Sequence, residues 1–428
     1  MSAKTKNVMN PPFADVMADY ASTILTKTRE RGFMWFFRRV LHKLVGIPLY
    51  VMYSTVVFIL CYPVCRLFNL RFPNVTIRAI GHLCIDVDCY LKEGILGLRP
   101  QYNSILLASR KQVANIHMLD YWEKYLKIIR SPFLCALLRP LTEIKSTRYH
   151  VYRYSSWIDA KADAYDIQRA YAGRPPLLSL SNSDFTRGWE LLNELGIPRD
   201  GWFVCVHARE DGYAPNQDQS YRNSDIRDYF PAIRSITERG GWVIRVGDPT
   251  MRPIPEMDHV IDYVHLPIRS DWMDTFLAAS CRFFFGCTSG LYCVAHVFGR
   301  PSVTVNKAPL SFVLPHGPND IGIPKHVWSI RESRYLGFKE LFSTPIGNYR
   351  YGEAYQRAAV RVVDNTPEDI QAAVMEMLDR VEGKSVYTEH DEELQRRFKL
   401  LMNQTHYSYG SLSRIGRDFM RKYSHLLE

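Results

Sequence analysis

The sequence predicts an α/β protein with two Rossmann-type domains that face each other across a cleft, preceded by a membrane-associated helical segment. Three observations predict this arrangement. The 428 residues are enough for two ordinary domains and an appendage. From Pro73 onward, short apolar runs alternate with amphipathic stretches, which is typical of βα units and a mainly parallel sheet. Before them, 21 consecutive uncharged residues occupy positions 45–65.

The N-terminal region, residues 1–72, carries most of the basic excess. Nine Lys or Arg side chains face three acidic ones in residues 1–70, and the whole chain has a formal net charge of +10. Basic and aromatic residues followed by an apolar run favour a membrane, not a nucleic acid, as the partner. We expect residues 33–70 to meet that membrane as a single span or as a monotopic helix. A buried helical hairpin of the globular part is the alternative.

The first domain is predicted to span residues 73–197. Strands are expected at 75–85 and 104–109, because both stretches are rich in apolar and β-branched residues. A helix is expected at 114–129, where apolar residues recur every three or four positions. Turn-forming residues around 172–201 then mark the end of the domain.

The second domain, residues 198–385, repeats the alternation more regularly. Its predicted strands are 203–207, 242–246, 259–264, 282–286 and 302–306, and its predicted helices are 226–239, 271–280, 289–298 and 367–382. The last of these helices has the clearest signals, with Thr366 as N-cap and Pro367 in the first position. A helical segment at 386–428 is expected to pack back on the first domain. The nine cysteines are expected to be reduced and mostly buried.

Polar residues follow the predicted strands of the second domain. In open parallel sheets, ligands bind beyond the carboxyl ends of the strands. Those ends carry His207, Arg209, Gly247, Asp248, Thr288, Ser289, Gly290, Asn306 and Lys307. Four such endings at one edge of a sheet predict a binding site.

Arg209 and the segment 286–290 are suited to a diphosphate. A guanidinium group matches two phosphate oxygens and stays charged. The glycines of the segment allow backbone N–H groups to close on an anion at a helix N-terminus. The alternatives are an ion pair between Arg209 and a neighbouring carboxylate, and an ordinary turn capped by Ser289. His207 is either part of the site or a hydrogen-bonded core residue.

Four segments carry a resemblance to a known family. They are His207-x-Arg209, the Val-Ile-Arg-Val-Gly-Asp run that ends at Asp248, Ser270-Asp-Trp-Met-Asp, and Gly286-Cys-Thr-Ser-Gly-Leu. From about residue 198 to residue 306 the chain resembles a bacterial family assigned as glycosyltransferases and found with surface-polysaccharide genes. That family is similar to the GT-B fucosyltransferases, which carry a His-x-Arg-x-Gly-Asp motif.

The resemblance implies a GT-B-like fold in which Arg209 holds the donor diphosphate and Asp271 lies near the nucleoside. The segment around Arg222 is expected either to close over the donor or to be a surface loop. Together with the strand ends, the expected donor residues are Arg209, Arg222, Gly247, Asp248, Asp271, Thr288, Ser289, Gly290 and Asn306. Where the fucosyltransferase motif has Gly-Asp, this chain has Asp211-Gly212, which leaves the donor sugar open.

In the first domain, His82 and Asp86 are the candidate bases for an acceptor hydroxyl. Both follow the strand expected around 77–80, in the position that would face the cleft. Asp86-Val-Asp88 also has the spacing of an Asp-x-Asp metal motif. This spacing alone would suit a metal-dependent phosphotransferase or hydrolase, but paired α/β halves favour a GT-B enzyme without a metal or another cofactor.

The resemblance and the strand ends together predict a metal-independent, inverting glycosyltransferase. The donor is a nucleoside-diphosphate sugar, with a GDP-sugar favoured, and the acceptor is a glycan or a lipid-linked molecule. The expected location is the cytoplasmic face of a bacterial inner membrane. A non-catalytic nucleotide-sugar-binding component of a polysaccharide assembly complex is the main alternative, beside the metal-dependent enzyme.

Overall fold

A computed structural model describes residues 32–151, 154, 163–213 and 218–428. Within these residues the chain forms two α/β units, each built on its own parallel sheet. The predicted fold class is therefore confirmed. Residues 1–31 of the predicted N-terminal region lie outside the described part of the chain.

The first sheet has four strands in the order β3-β2-β1-β4. The strands are β1 (Leu70–Pro73), β2 (Asn103–Leu107), β3 (Lys127–Ile129) and β4 (Arg148–Tyr149). The helices up to the second sheet are α1 (Phe33–Leu41), α2 (Ile47–Leu67), α3 (Ile80–Ile95), α4 (Ile116–Trp122), α5 (Pro132–Leu138), α6 (Asp163–Tyr171) and α7 (Asn182–Glu194). A π-helical turn, His42–Gly46, joins α1 to α2.

Residues 75–85 do not form the predicted strand. The backbone N–H of Ile77 bonds to the carbonyl of Val75, so the chain turns there, and helix α3 begins at Ile80. Apolar and polar residues alternate at 75–80 as they do in a strand, which explains the error. From Leu83 onward almost every residue of α3 is buried, and a long buried run cannot be assigned to helix or strand by periodicity.

Two other predictions for the first unit differ from the structure. The helix expected at 114–129 ends at Trp122, and β3 follows it. Strand β1 begins at the last residue of the segment assigned to the membrane, where Leu70 pairs with Asn103. The first sheet therefore begins before residue 73. The strand expected at 104–109 corresponds to β2.

The second sheet has seven strands in the order β14-β10-β9-β8-β5-β6-β7. Its strands are β5 (Phe203–His207), β6 (Trp242–Arg245), β7 (Val260–Ile261), β8 (Phe284–Gly286), β9 (Ser302–Lys307), β10 (Ile321–Pro324) and β14 (Arg414–Ile415). A separate antiparallel sheet is formed by β11 (His326–Ser329), β12 (Arg334–Tyr335) and β13 (Val360–Val363). The helices of the second unit are α8 (Phe230–Glu238), α9 (Asp271–Ser280), α10 (Tyr292–Val297), α11 (Phe338–Ser343), α12 (Gly352–Arg357), α13 (Pro367–Val381), α14 (Glu389–Leu400) and α15 (Arg417–Lys422).

Sequence patterns predicted this second unit well. All residues of β5 and β9 are buried, as expected for central strands of a parallel sheet. Helix α13 begins after Thr366, whose hydroxyl accepts from the N–H of Asp369 in a capping box. Helix α9 has the predicted bounds. Helix α10 begins at Tyr292, three residues later than predicted.

The C-terminal segment packs mainly on the second unit, whereas we expected it to cross the first. Strand β14 pairs with β10 at the edge of the seven-stranded sheet, since Ile321 pairs with Arg414. Contact with the first unit is confined to a loop, where the ring of Tyr407 meets that of Tyr165 at 5.8 Å. The segment therefore extends the second core.

Helix α2 and the turn before it form one apolar helix, His42–Leu67, which is long enough to cross a membrane by length and composition. Only 6% of its most apolar window is buried. Val57 and Cys65 are the buried residues of α2, and they pack with Phe72 and Leu141 of the first unit. One face of the helix therefore rests on the protein.

The two units meet where the N-terminus of α3 approaches the loop after β8. A Cβ atom built on Gly290 would lie 2.7 Å from the backbone nitrogen of Gly81 and 2.8 Å from a methyl group of Ile80. Real Cβ atoms do not come this close to backbone. Glycine at position 290 therefore allows the two backbones to pack directly against each other.

We expect Gly290→Ala to lower the free energy of unfolding by about 1–3 kcal/mol, as overpacking does in a dense interior. In Gly81→Ala the new Cβ would lie 3.1 Å from the Cα of Gly290, so its effect should be smaller. Chemical denaturation of the three proteins measures the difference. Equal stability of Gly290→Ala and the wild type would contradict the direct contact.

Candidate active site in the cleft

A cavity of about 660 Å³ lies between the two units. The residues from our predictions that line it are His82, His207, Arg209, Arg222, Gly247, Asp248, Thr288, Ser289 and Gly290. They come from helix α3 of the first unit and from the carboxyl ends of β5, β6 and β8 of the second. The strand-end rule explains this grouping, because parallel strands end at one edge.

Arg209 and Arg222 form one wall of the cavity. The Arg209 side chain is 7% exposed, and its Nη1 donates to Gln219 Oε1 at 3.4 Å. Arg222 donates to the same Gln219 oxygen at 2.9 Å and to the carbonyl of Thr288 at 2.9 Å. Gln219 therefore holds two guanidinium groups side by side, a spacing suited to one dianionic ligand.

The acidic neighbours of Arg209 are held by other groups. Glu210 accepts from Arg245, with 2.7 Å between Arg245 Nη2 and Glu210 Oε1. Asp211 accepts from the amide of Asn223. The two sequence-adjacent carboxylates considered as ion-pair partners of Arg209 thus have partners elsewhere.

The cavity carries more positive charge than the sequence indicated. Besides Arg209 and Arg222, its wall includes Arg78, Arg269 and Arg350. Burial lowers the pKa of Arg350 to about 10, which reflects the cost of keeping this cation out of water. Sequence reasoning missed Arg350 because it lies in an irregular segment that follows no strand of the large sheet.

Lys307 is a buried cation close to this wall. The residue is 1% exposed, and its ammonium lies 4.9 Å from the centre of the Tyr292 ring. Within the described residues its Nζ has no hydrogen-bond partner. Burial lowers the pKa of Lys307 to about 8. An anion beside it would raise this pKa and so favour the charged form.

The loop after β8 is held in a fixed shape. Thr288 Oγ1 accepts from the N–H of Ala308 at 3.1 Å, and Ser289 Oγ accepts from the N–H of Leu291 at 3.4 Å. Both hydroxyl groups thus stabilise the turn. Because α10 begins only at Tyr292, Ser289 is not the N-cap of that helix.

His82 faces the arginine wall from the first unit. It lies in the first turn of α3, and its Nδ1 is 3.1 Å from Oδ2 of Asp86, which is fully buried. Burial lowers the pKa of His82, but the hydrogen bond and charge of Asp86 outweigh this, so the pKa is raised above 6.5. With Nδ1 donating to Asp86, the neutral ring has its lone pair on Nε2.

Asp88 does not join Asp86 in a ligand pair. Asp88 Oδ2 is 2.7 Å from the ammonium of Lys92 and accepts from the amide of Gln168 at 2.8 Å. Residues two apart on a helix point in different directions. No group of three or more His, Cys, Asp or Glu side chains within the described ranges is placed to hold a metal ion. The arrangement does not favour the metal-dependent enzyme that uses both carboxylates.

Two predicted donor residues do not line the cavity. Asp271 lies at the contact between the units, where its Oδ2 accepts from the N–H of Ile116 at 2.7 Å. Asn306 is fully buried with φ of 50°, and it exchanges two hydrogen bonds with Asn365, at 2.6 and 2.7 Å. Both residues have structural partners that are distant in sequence.

His207 lines the cavity as a neutral ring. Its Nδ1 donates to the carbonyl of Val246 at 3.0 Å, which ties the ends of β5 and β6 together. Burial lowers the pKa of His207 to about 4. His207 is therefore a hydrogen-bonded core residue, and it also lines the cavity.

No protein-family model matches the sequence, and a search of curated proteins gives no match. Similar solved structures include the E. coli ADP-heptose LPS heptosyltransferase II, with 12% identity, 55% of this chain and 83% of that chain covered, and a TM-score of 0.35. A family 9 glycosyl transferase from Veillonella parvula has 9% identity, 55% and 79% coverage and a TM-score of 0.36. E. coli heptosyltransferase WaaC with ADP has 10% identity, 59% and 89% coverage and a TM-score of 0.32. At these values the chemistry has to be inferred from this chain's own side chains.

We expect Asp86→Asn to lower the pKa of His82, because the amide removes the charge that favours the imidazolium form. The measurement is a pH titration of histidine-labelled protein by NMR. His207 is an internal control, since its ring should remain neutral from pH 5 to pH 8 in both proteins. An unchanged His82 titration in Asp86→Asn would contradict the pairing.

Proposed function

We propose that this chain is a glycosyltransferase that uses a nucleoside-diphosphate sugar. The observation that carries the proposal is that anion-binding groups and a candidate base face each other across one cavity. Arginine side chains suited to a diphosphate line the second unit, and a carboxylate-oriented imidazole faces them from the first unit. This is the set of groups that a transfer from a sugar diphosphate to a hydroxyl requires.

The donor is assigned to the second unit. Arg209 and Arg222 would bind the two phosphates, and Arg350 of the same wall would add positive charge. Breaking the bond between the anomeric carbon and the phosphate oxygen leaves its electron pair on the diphosphate. Preorganised cations in a cavity shielded from water stabilise that charge strongly. The His-x-Arg resemblance favours GDP as the nucleotide.

The acceptor is assigned to the first unit. Its hydroxyl oxygen attacks the anomeric carbon while His82 Nε2 takes the proton, and the diphosphate departs from the opposite face. Asp86 fixes the ring and stabilises the imidazolium that forms. One displacement of this kind inverts the anomeric configuration and uses no metal. A glycan or a lipid-linked molecule is the proposed acceptor, with residues 33–70 at the cytoplasmic face of the bacterial inner membrane.

A thermal-shift screen tests the donor site. We expect one of GDP, ADP, UDP, CDP and dTDP to stabilise the protein without added divalent metal, by about 2.7 kcal/mol at 100 times its Kd. Arg209→Ala should lose the shift. Arg396→Ala is the matched control, because Arg396 is exposed and pairs with Glu393 away from the cavity. No shift with any nucleotide would overturn the donor site.

The base is tested by turnover, measured as nucleotide release, of a sugar nucleotide that carries the stabilising nucleotide from the thermal-shift screen. We expect His82→Ala to lower kcat by about 10²–10⁴-fold while nucleotide binding is kept. Because the base must be deprotonated, wild-type activity should rise with pH through the raised pKa of His82. In Asp86→Asn this rise should move to lower pH. Nucleotide binding without turnover in the wild type would favour the non-catalytic component.

A further inference from the structure

Helix α2 is attached to the first unit along most of its length. Tyr53 OH donates to the carbonyls of Ala136 and Leu137 at 3.0 and 2.6 Å, near the end of α5. Val57 and Cys65, one and three turns further along, are 6% and 2% exposed. Their spacing places them on one face of the helix.

This attachment is incompatible with a membrane span. A spanning helix has to lie within the hydrocarbon core over about 30 Å, or about 20 residues, together with whatever protein packs on it there. The attached stretch from residue 50 to residue 65 covers about 22 Å at 1.5 Å per residue. Tyr50 donates to the Glu143 carboxylate at 2.7 Å, so a perpendicular α2 would carry Glu143 and its loop into the bilayer core. Lipid-exposed loops and charges are strongly disfavoured there.

Outside the attached stripe, the surface of α2 is apolar and exposed. Leu49, Val56, Ile59, Leu60, Val64 and Leu67 are each 48–78% exposed. Helix α5, which Tyr53 joins to α2, adds Phe133 at 72% and Leu137 at 40% exposed. Soluble monomers rarely expose apolar side chains contiguously on this scale.

Within residues 32–67 the charged side chains are all of one sign. No acidic residue occurs between positions 32 and 67, whereas Arg38, Lys43 and Arg66 are exposed there. Exposed apolar side chains bordered by basic ones are complementary to the acyl chains and anionic headgroups of a lipid leaflet.

We propose that α2 and α5 form one monotopic surface that enters a single leaflet of an anionic bilayer, and that α2 does not cross it. The surface includes α5, which lies outside the residues 33–70 first assigned to the membrane. The inference rests on the membrane association in the proposed function and replaces its single-span form.

Flotation with vesicles of phosphatidylglycerol and phosphatidylcholine tests the surface on the full chain. The wild type should bind, and Phe133→Glu should bind about tenfold more weakly, since a buried Phe side chain contributes about 1.5–3 kcal/mol. Phe185→Glu is the control, because Phe185 of α7 is 52% exposed but distant in sequence from α2 and α5. Equal binding of Phe133→Glu and the control, or no binding by folded wild type, would overturn the surface.

Labelling with a membrane-impermeant maleimide tests the topology. Ser2→Cys and Lys384→Cys, the latter at an exposed position, should behave alike because they lie on the same side of the membrane. In sealed cells both should react or both should be protected, and after permeabilisation both should react. Reaction from opposite sides would mean that α2 spans the bilayer and would overturn the inference. Neither readout requires turnover, so a chain that behaves as expected here but transfers no sugar would refute the proposed function alone.

Discussion

The cleft depends on the direct approach of two backbones at Gly81 and Gly290. Helix α3 begins there without a side-chain cap, since Ala79 occupies the N-cap position. Because the loop after β8 touches this helix end, this contact contributes to setting the distance between His82 and the arginine wall. Protein interiors are dense and do not yield to an added methyl group without displacement. The geometry of the site therefore depends on glycine, which has no side chain, at positions 81 and 290.

The two units contribute different charged groups to the cleft. The second unit holds buried cations, of which Arg350 and Lys307 have lowered pKa values because water is excluded. The first unit contributes the fully buried carboxylate of Asp86, which acts through His82. Cations that are costly to bury are stabilised once an anion arrives. Binding of an anionic donor would then prepare the electrostatics of the cleft before the acceptor reacts.

The sequence predicted the second unit closely and the first only in outline. A fully buried strand such as β5 is recognisable as an apolar run, and the rule that parallel strands end together located Arg209 and the loop after β8. The same rule failed for Asn306, because its partner Asn365 is 59 residues away and only the fold brings them together. Arg350 was missed because no local pattern marks an irregular segment as part of a cavity. At 75–85 the alternation suggested a strand, and tertiary burial of α3 decided otherwise.

The proposed membrane surface and the candidate base are linked by a single strand. Helix α2 ends at Leu67, β1 begins at Leu70 in the interior of the first sheet, and α3 follows at Ile80. No flexible domain linker separates the apolar face from His82. A rigid connection of this kind would hold the imidazole at a constant height above a leaflet. An acceptor dissolved in the cytosol would gain nothing from such a constraint, whereas an acceptor carried by a lipid would always meet the base at the same level. The connection therefore favours the lipid-linked acceptor over a free glycan.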